Sequence, residues 1–117
     1  MLWGLLACAD DEVAQTLFEG ASDDGAVAWV LDFGAEPAVG SAEVDLEQTD
    51  AEGGPLEAVP TIEPWMPEHG HGVSDAVAVE DLGGGLFHAT WTWPMAGTWE
   101  VRLDVDGHGG AVDVVVR

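Results

Sequence analysis

Phe87-His88-Ala89-Thr90-Trp91-Thr92-Trp93, then Pro94-Met95-Ala96-Gly97, then Thr98-Trp99-Glu100-Val101-Arg102-Leu103-Asp104-Val105 is the stretch whose reading decides the fold. Phe87, Ala89, Trp91 and Trp93 fall on one side, with His88, Thr90 and Thr92 on the other. Trp99, Val101, Leu103 and Val105 alternate in the same way with Thr98, Glu100, Arg102 and Asp104. Successive side chains of a strand point to opposite faces, so this period of two predicts two half-buried strands. The Pro-Met-Ala-Gly segment between them reads as the turn of a hairpin.

The same period extends outward in both directions. Asp106-Gly107-His108-Gly109-Gly110 is expected to close the next hairpin, since Asp-Gly is a strong turn signal, and Val112, Val114 and Val116 mark the last strand. Upstream, Val27, Trp29, Leu31 and Phe33 predict a first strand, and Ala42, Val44 and Leu46 a second, with a turn around Pro37 between them. Thr49 to Leu56 reads as a polar loop and Ala58 to Trp65 as a third strand. Pro60 and Pro64 lack two backbone donors there, which places that strand at a sheet edge. Val73 to Glu80 predicts a fourth strand with Val77 and Val79 inward, ended by Gly83-Gly84-Gly85. No stretch has a helical period or a membrane-spanning length. The expectation is an all-β, immunoglobulin-like antiparallel β-sandwich of about seven strands with a tryptophan-rich core; an open barrel is the alternative.

The 117 residues are one domain's worth, and a 47% hydrophobic composition suits a packed body. Against 23 acidic residues stand only Arg102 and Arg117, for a net charge of -21. Such a surface repels phosphate backbones and anionic headgroups, which excludes nucleic acid as a partner class. It reads first as a solvated surface, and second as one able to collect cations or steer a basic partner.

Residues 1–8 end in Leu5-Leu6-Ala7-Cys8, which resembles the bacterial lipobox, where the signal is cut before a cysteine that carries lipid. The apolar run is shorter than an ordinary signal, and no Lys or Arg precedes it. Cys8 is the only cysteine, which argues against disulfides and thiolate metal sites. Residues 9–25 read as an acidic tether in which a helical turn across Asp11 to Phe18 is the one regular element on offer, and 26–117 as the domain. The expected place is outside the cytoplasm, on the periplasmic side or cell surface of a bacterial membrane, held only through lipid on Cys8.

Trp65-Met66-Pro67-Glu68-His69-Gly70-His71-Gly72 gathers a thioether, two imidazoles and a carboxylate on backbone shaped by Pro and Gly. If each of seven strands crosses the sandwich, the loops after the third and fifth strands share a pole. Met66, His69, His71 and Met95 then lie together, while His108 falls at the opposite pole and His88 nearer to it. Two thioethers and two imidazoles suit copper, Cu(I) above all, whereas zinc favours a third His or a thiolate. The plainer alternative is a tight turn in which Met66 packs on a tryptophan and the histidines face solvent. For Met95 it is sulfur-aromatic contact with Trp93 and Trp99. Trp65 is placed to shield a bound metal. No nucleophile elbow, phosphate loop or zinc-protease helix is present, so no catalytic residues are assigned and an enzyme is not expected.

Met66-Pro67-Glu68-His69-Gly70-His71-Gly72, Gly85-Leu86-Phe87 and Met95-Ala96-Gly97-Thr98-Trp99, with the earlier Pro37-Ala38-Val39-Gly40-Ser41-Ala42-Glu43-Val44, resemble the YtkA-like domain family, related to the FixH proteins. The resemblance covers roughly Ala26 to Arg117. It implies a small immunoglobulin-like sandwich outside the cytoplasm, often anchored and sometimes associated with copper handling or terminal-oxidase assembly. By this resemblance Met66, His69, His71 and Met95 fall on motif positions, and members often carry Met where His69 stands. Two functions are therefore expected: an extracytoplasmic copper-binding domain of a lipoprotein, or a non-enzymatic accessory domain of an envelope complex whose loop is structural.

Overall fold

The computed structural model describes residues 15–117. Cys8, the lipobox-like run and the first part of the expected tether lie outside the described residues. Among the described residues nine strands are formed: β1 (Leu17–Ala21), β2 (Val27–Asp32), β3 (Gly40–Asp50), β4 (Thr61–Met66), β5 (His71–Gly72), β6 (Ala78–Gly83), β7 (Leu86–Trp93), β8 (Gly97–Val105) and β9 (His108–Val116). They make two antiparallel sheets, ordered β1-β2-β3-β7-β6 and β5-β4-β8-β9. Without β1 and the two-residue β5, the orders β2-β3-β7-β6 and β4-β8-β9 are those of a seven-stranded immunoglobulin constant-type sandwich. The described residues form a sandwich, not an open barrel, and among them no helix is long and apolar enough to cross a membrane.

Most inward residues predicted from alternation are buried, from Val27, Trp29 and Leu31 through Ala42, Val44 and Leu46 to Val112, Val114 and Val116, while Phe33, Val77 and Val79 are only partly buried and the fourth expected strand begins later, at Ala78. The expected hairpin over Phe87–Val105 does not form. β7 is hydrogen-bonded between β3 and β6, and β8 between β4 and β9, so residues 94–96 carry the chain from one sheet to the other. The two buried faces oppose each other across the core, with the Trp93 and Trp99 rings 5.2 Å apart. Packed sheets lie about 10 Å apart, a gap that indoles fill. Pro94 offers no ladder donor and Gly97 takes φ +139, which together turn the backbone out of the sheet plane.

Other differences have local causes. The expected tether is ordered from Leu17 on: β1 pairs with β2 in register from Leu17↔Asp32 to Ala21↔Ala28, burying Phe18 against Phe33 at 5.8 Å. Leu17 and Phe18 are therefore strand, not the end of a helical turn. A Cβ on Gly20 would lie 2.7 Å from the Ala111 carbonyl, so this glycine lets β1 close against β9 of the other sheet. β3 runs on to Asp50, past the expected loop start, because Gln48 takes an inward position. There it accepts the Trp29 Nε1–H at 2.9 Å and donates to the Leu56 and Ala58 carbonyls at 2.9 and 2.8 Å. β4 has a partner on both sides only at Trp65, where β5 joins it; Thr61 to Pro64 form an edge, where Pro64 is tolerated. His108 to Gly110 belong to β9, not to the turn.

Candidate functional site

β4 ends at Met66 and β5 begins at His71, the two being Cα partners, so Pro67-Glu68-His69-Gly70 is a four-residue hairpin loop. Pro67 fixes φ as the chain leaves the strand, and Gly70 adopts φ +66, a left-handed conformation that favours glycine. The Met66 carbonyl closes the loop by accepting the amides of His69 at 3.2 Å and Gly70 at 2.9 Å. His69 is thereby exposed at the loop, and His71 is half-buried in β5.

Directly opposed residues of an antiparallel pair share a face. Met66 is buried in the core, so His71 sits on that same inner face, at the open end of the sandwich. Its ring meets Trp99 at 5.8 Å and 72°, and the His69 ring stands 5.8 Å from it on the other side. His71 Nδ1 lies 2.9 Å from the Gly72 carbonyl, which only accepts, so Nδ1 carries the proton and donates. In neutral imidazole the lone pair is then on Nε2, the arrangement in which a backbone carbonyl orients a ligating histidine.

Met66 and Met95 differ in their placement. A Cβ built on Gly97 would lie 2.7 Å from Met66 Cε and 3.9 Å from its Sδ, so the thioether tip rests on the bare Cα of Gly97. Met95 is partly buried against the core, and its carbonyl accepts the Trp99 Nε1–H at 3.1 Å. The turn of residues 94–96 and the histidine loop thus lie at one end of the molecule, tied through Trp99 and Gly97. Trp65 does not shield the loop. It alternates with Met66, faces outward, and lies under the Arg102 guanidinium at 4.9 Å. Trp99 is the ring beside the imidazoles instead. Alternation had already turned Trp99 inward, but nothing in one strand's sequence says which loop it meets.

Among the described residues, no three His, Cys, Asp or Glu side chains are grouped to hold a metal ion. Beside its two imidazoles, this end of the fold carries the Met66 and Met95 thioethers. That donor set fits a soft cation and fits zinc poorly.

The other two histidines are held differently. His88, on the outer face of the five-stranded sheet, directs Nδ1 at Asp45 (2.9 Å) and Nε2 at Glu43 (3.4 Å). The Asp45 hydrogen bond, more than the accompanying charges, holds its imidazole above the ordinary range. His108 lies at the opposite pole, where its Nδ1 contacts Asp24 at 2.6 Å. Asp24 also accepts the Ser22 hydroxyl at 2.7 Å and the Ala26 amide at 3.1 Å. Those two bonds, with His108 third, hold its carboxyl well below the usual range.

A family model described as YtkA-like matches residues 23–104, which is more than half of the chain. No curated protein matches the chain.

Proposed function

The chain belongs to the YtkA-like family, and on that premise we propose that it holds or delivers copper, Cu(I) in preference to Cu(II), at the loop between β4 and β5. His71 supplies Nε2, His69 the second imidazole and Met66 the thioether, with Met95 as the neighbouring sulfur. The observation that carries the reading is the Nδ1–H bond from His71 to the Gly72 carbonyl. It leaves the ligating nitrogen free, next to a second imidazole and opposite a methionine. A core-facing indole and a buried thioether also give the site an apolar floor, which favours the less hydrated Cu(I). The protein's role is to bind and position, and no catalytic step is assigned to it. The proposal includes an extracytoplasmic location, a lipid anchor on Cys8, and a partner engaged in copper handling or terminal-oxidase assembly.

Competition titrations of the protein with Cu(I) and Cu(II) against a chelator, read by tryptophan fluorescence, test this. Trp99 lies close enough to His71 to report occupancy. One Cu(I) per chain, bound more tightly than Cu(II) and lost in the His69→Ala/His71→Ala variant, is the expected outcome. Unchanged affinity in that variant overturns the proposal.

A further inference from the structure

The outer face of the five-stranded sheet carries an apolar groove of about 460 Å³, on a face the copper site does not use. Six large apolar side chains are exposed among the described residues, and all three leucines in that set, Leu17, Leu82 and Leu86, line this one groove. They come from β1, β6 and β7, so the groove crosses the whole sheet. The register of β6 on β7 shifts between Asp81 and Gly83, leaving Leu82 as the extra residue. A bulge of that kind re-aims a side chain at the cost of a ladder position, here toward the groove.

Asp32, Asp45 and Glu47 line the same groove, and no Lys or Arg does. The two arginines of the chain are engaged elsewhere, Arg117 with Glu36 at 2.9 Å and Arg102 with Glu100 at 3.3 Å. The nearby His88 is already held by Asp45 and Glu43. Apolar side chains framed by three carboxylates, of which only Asp45 has a basic partner, His88, call for an occupant that is apolar on one face and cationic at its margins. A second copy of this chain brings the same net charge of -21 and is repelled, as is an anionic lipid surface.

We propose that this groove is a docking site for a cationic amphipathic helix of a partner protein, its leucine-type stripe on Leu17, Leu82 and Leu86 and its Lys or Arg residues on Asp32, Asp45 and Glu47. The five strands span four spacings of about 4.8 Å, about 19 Å in all, which a helix of about 13 residues covers. The helix lies across the strands and leaves the copper loop free, so docking and metal binding are separable.

Calorimetric titration of the 117-residue chain with two capped Lys/Leu peptides of about 13 residues tests the proposal. One peptide places its leucines on a single helical face, and the other has the same composition scrambled. Because any cationic peptide is attracted to this chain, the difference between the two is the reading. The facial peptide is expected to bind one per chain, at least about tenfold more tightly than the scrambled one. The Leu82→Ser/Leu86→Ser variant, changed only at exposed positions, is expected to remove that difference. Glu47→Gln is expected to weaken binding more than the charge-matched Asp113→Asn on the other sheet. Equal affinity for both peptides, no binding of either, or an affinity unchanged in the double-serine variant overturns the proposal.

Discussion

The two poles of this sandwich use histidine in opposite ways. At the pole of the β4–β5 loop, His71 spends one nitrogen on a backbone carbonyl and meets Trp99 and His69 with its ring, which leaves a lone pair for a ligand. Toward the other end, His88 directs both nitrogens at carboxylates, Asp45 and Glu43, and His108 directs its Nδ1 at Asp24. A single carbonyl partner fixes the tautomer and leaves Nε2 open, whereas carboxylates facing both nitrogens, as at His88, occupy the ring and favour the imidazolium. What surrounds each ring, more than the histidine itself, separates the proposed ligand His71 from a ring enclosed by carboxylates such as His88.

The largest effect expected from breaking this contrast is on copper affinity. His69→Ala/His71→Ala should lower Cu(I) affinity by more than about 100-fold, beyond the loss typical of a supporting partner. His88→Ala/His108→Ala should leave it unchanged in the same competition assay. Next comes Met66, which is both packed and proposed to ligate. Met66→Ala should cost about 2–5 kcal/mol of stability through the cavity it leaves. Met66→Leu should cost less than about 1.5 kcal/mol in denaturant unfolding, yet still weaken Cu(I) relative to Cu(II). A leucine variant with undiminished Cu(I) preference would reduce Met66 to packing.

Acid should act oppositely at the two kinds of histidine. Protons compete with metal at the loop, so copper affinity should fall on acidification. His88 is held above its ordinary range by Asp45, so its stabilisation is full below the unfolded value of about 6.5 and fades as pH rises through the folded value. His88→Gln should therefore cost more stability at pH 6 than at pH 9, by less than about 1 kcal/mol for so solvent-screened a pair, read from thermal melts at the two pH values. Asp24 runs the other way. Its depressed carboxyl stabilises above the ordinary aspartate range and loses that contribution as pH falls through the folded value, so Asp24→Asn should flatten the acid limb of a melting profile. Smallest is Met95→Leu, expected to change Cu(I) affinity less than Met66→Leu does, since Met95 is engaged with the core and through its carbonyl with Trp99.

Much of this was legible in the sequence. Alternation from Val27 to Val116 gave the inward set, and counting strands put the loop of Met66–His71 and the turn of Met95 at one pole, where they lie. Alternation does not encode which strands pair, and there the reading failed: Phe87–Val105 has the pattern of a hairpin, yet its arms face each other across the core. β1 escaped notice because one buried ring, Phe18, followed by Glu19 and Gly20, shows no period. The burial of Gln48 was not legible because it depends on Trp29, Leu56 and Ala58, which are distant in sequence. At the site the residue types could be read from the motif. The partners that tell the histidines apart, the Gly72 carbonyl and the Asp24, Glu43 and Asp45 carboxylates, emerge only when the strands are in register.

The most direct test is a long-range ¹H–¹⁵N NMR spectrum of the four imidazoles, recorded as Cu(I) is added to the protein. The account predicts that His71 Nε2 and the His69 ring shift to saturation at one equivalent, while His71 Nδ1–H persists and His88 and His108 stay in place. Unmoved His69 and His71 resonances in excess Cu(I), or shifts at His88 and His108 instead, would contradict it.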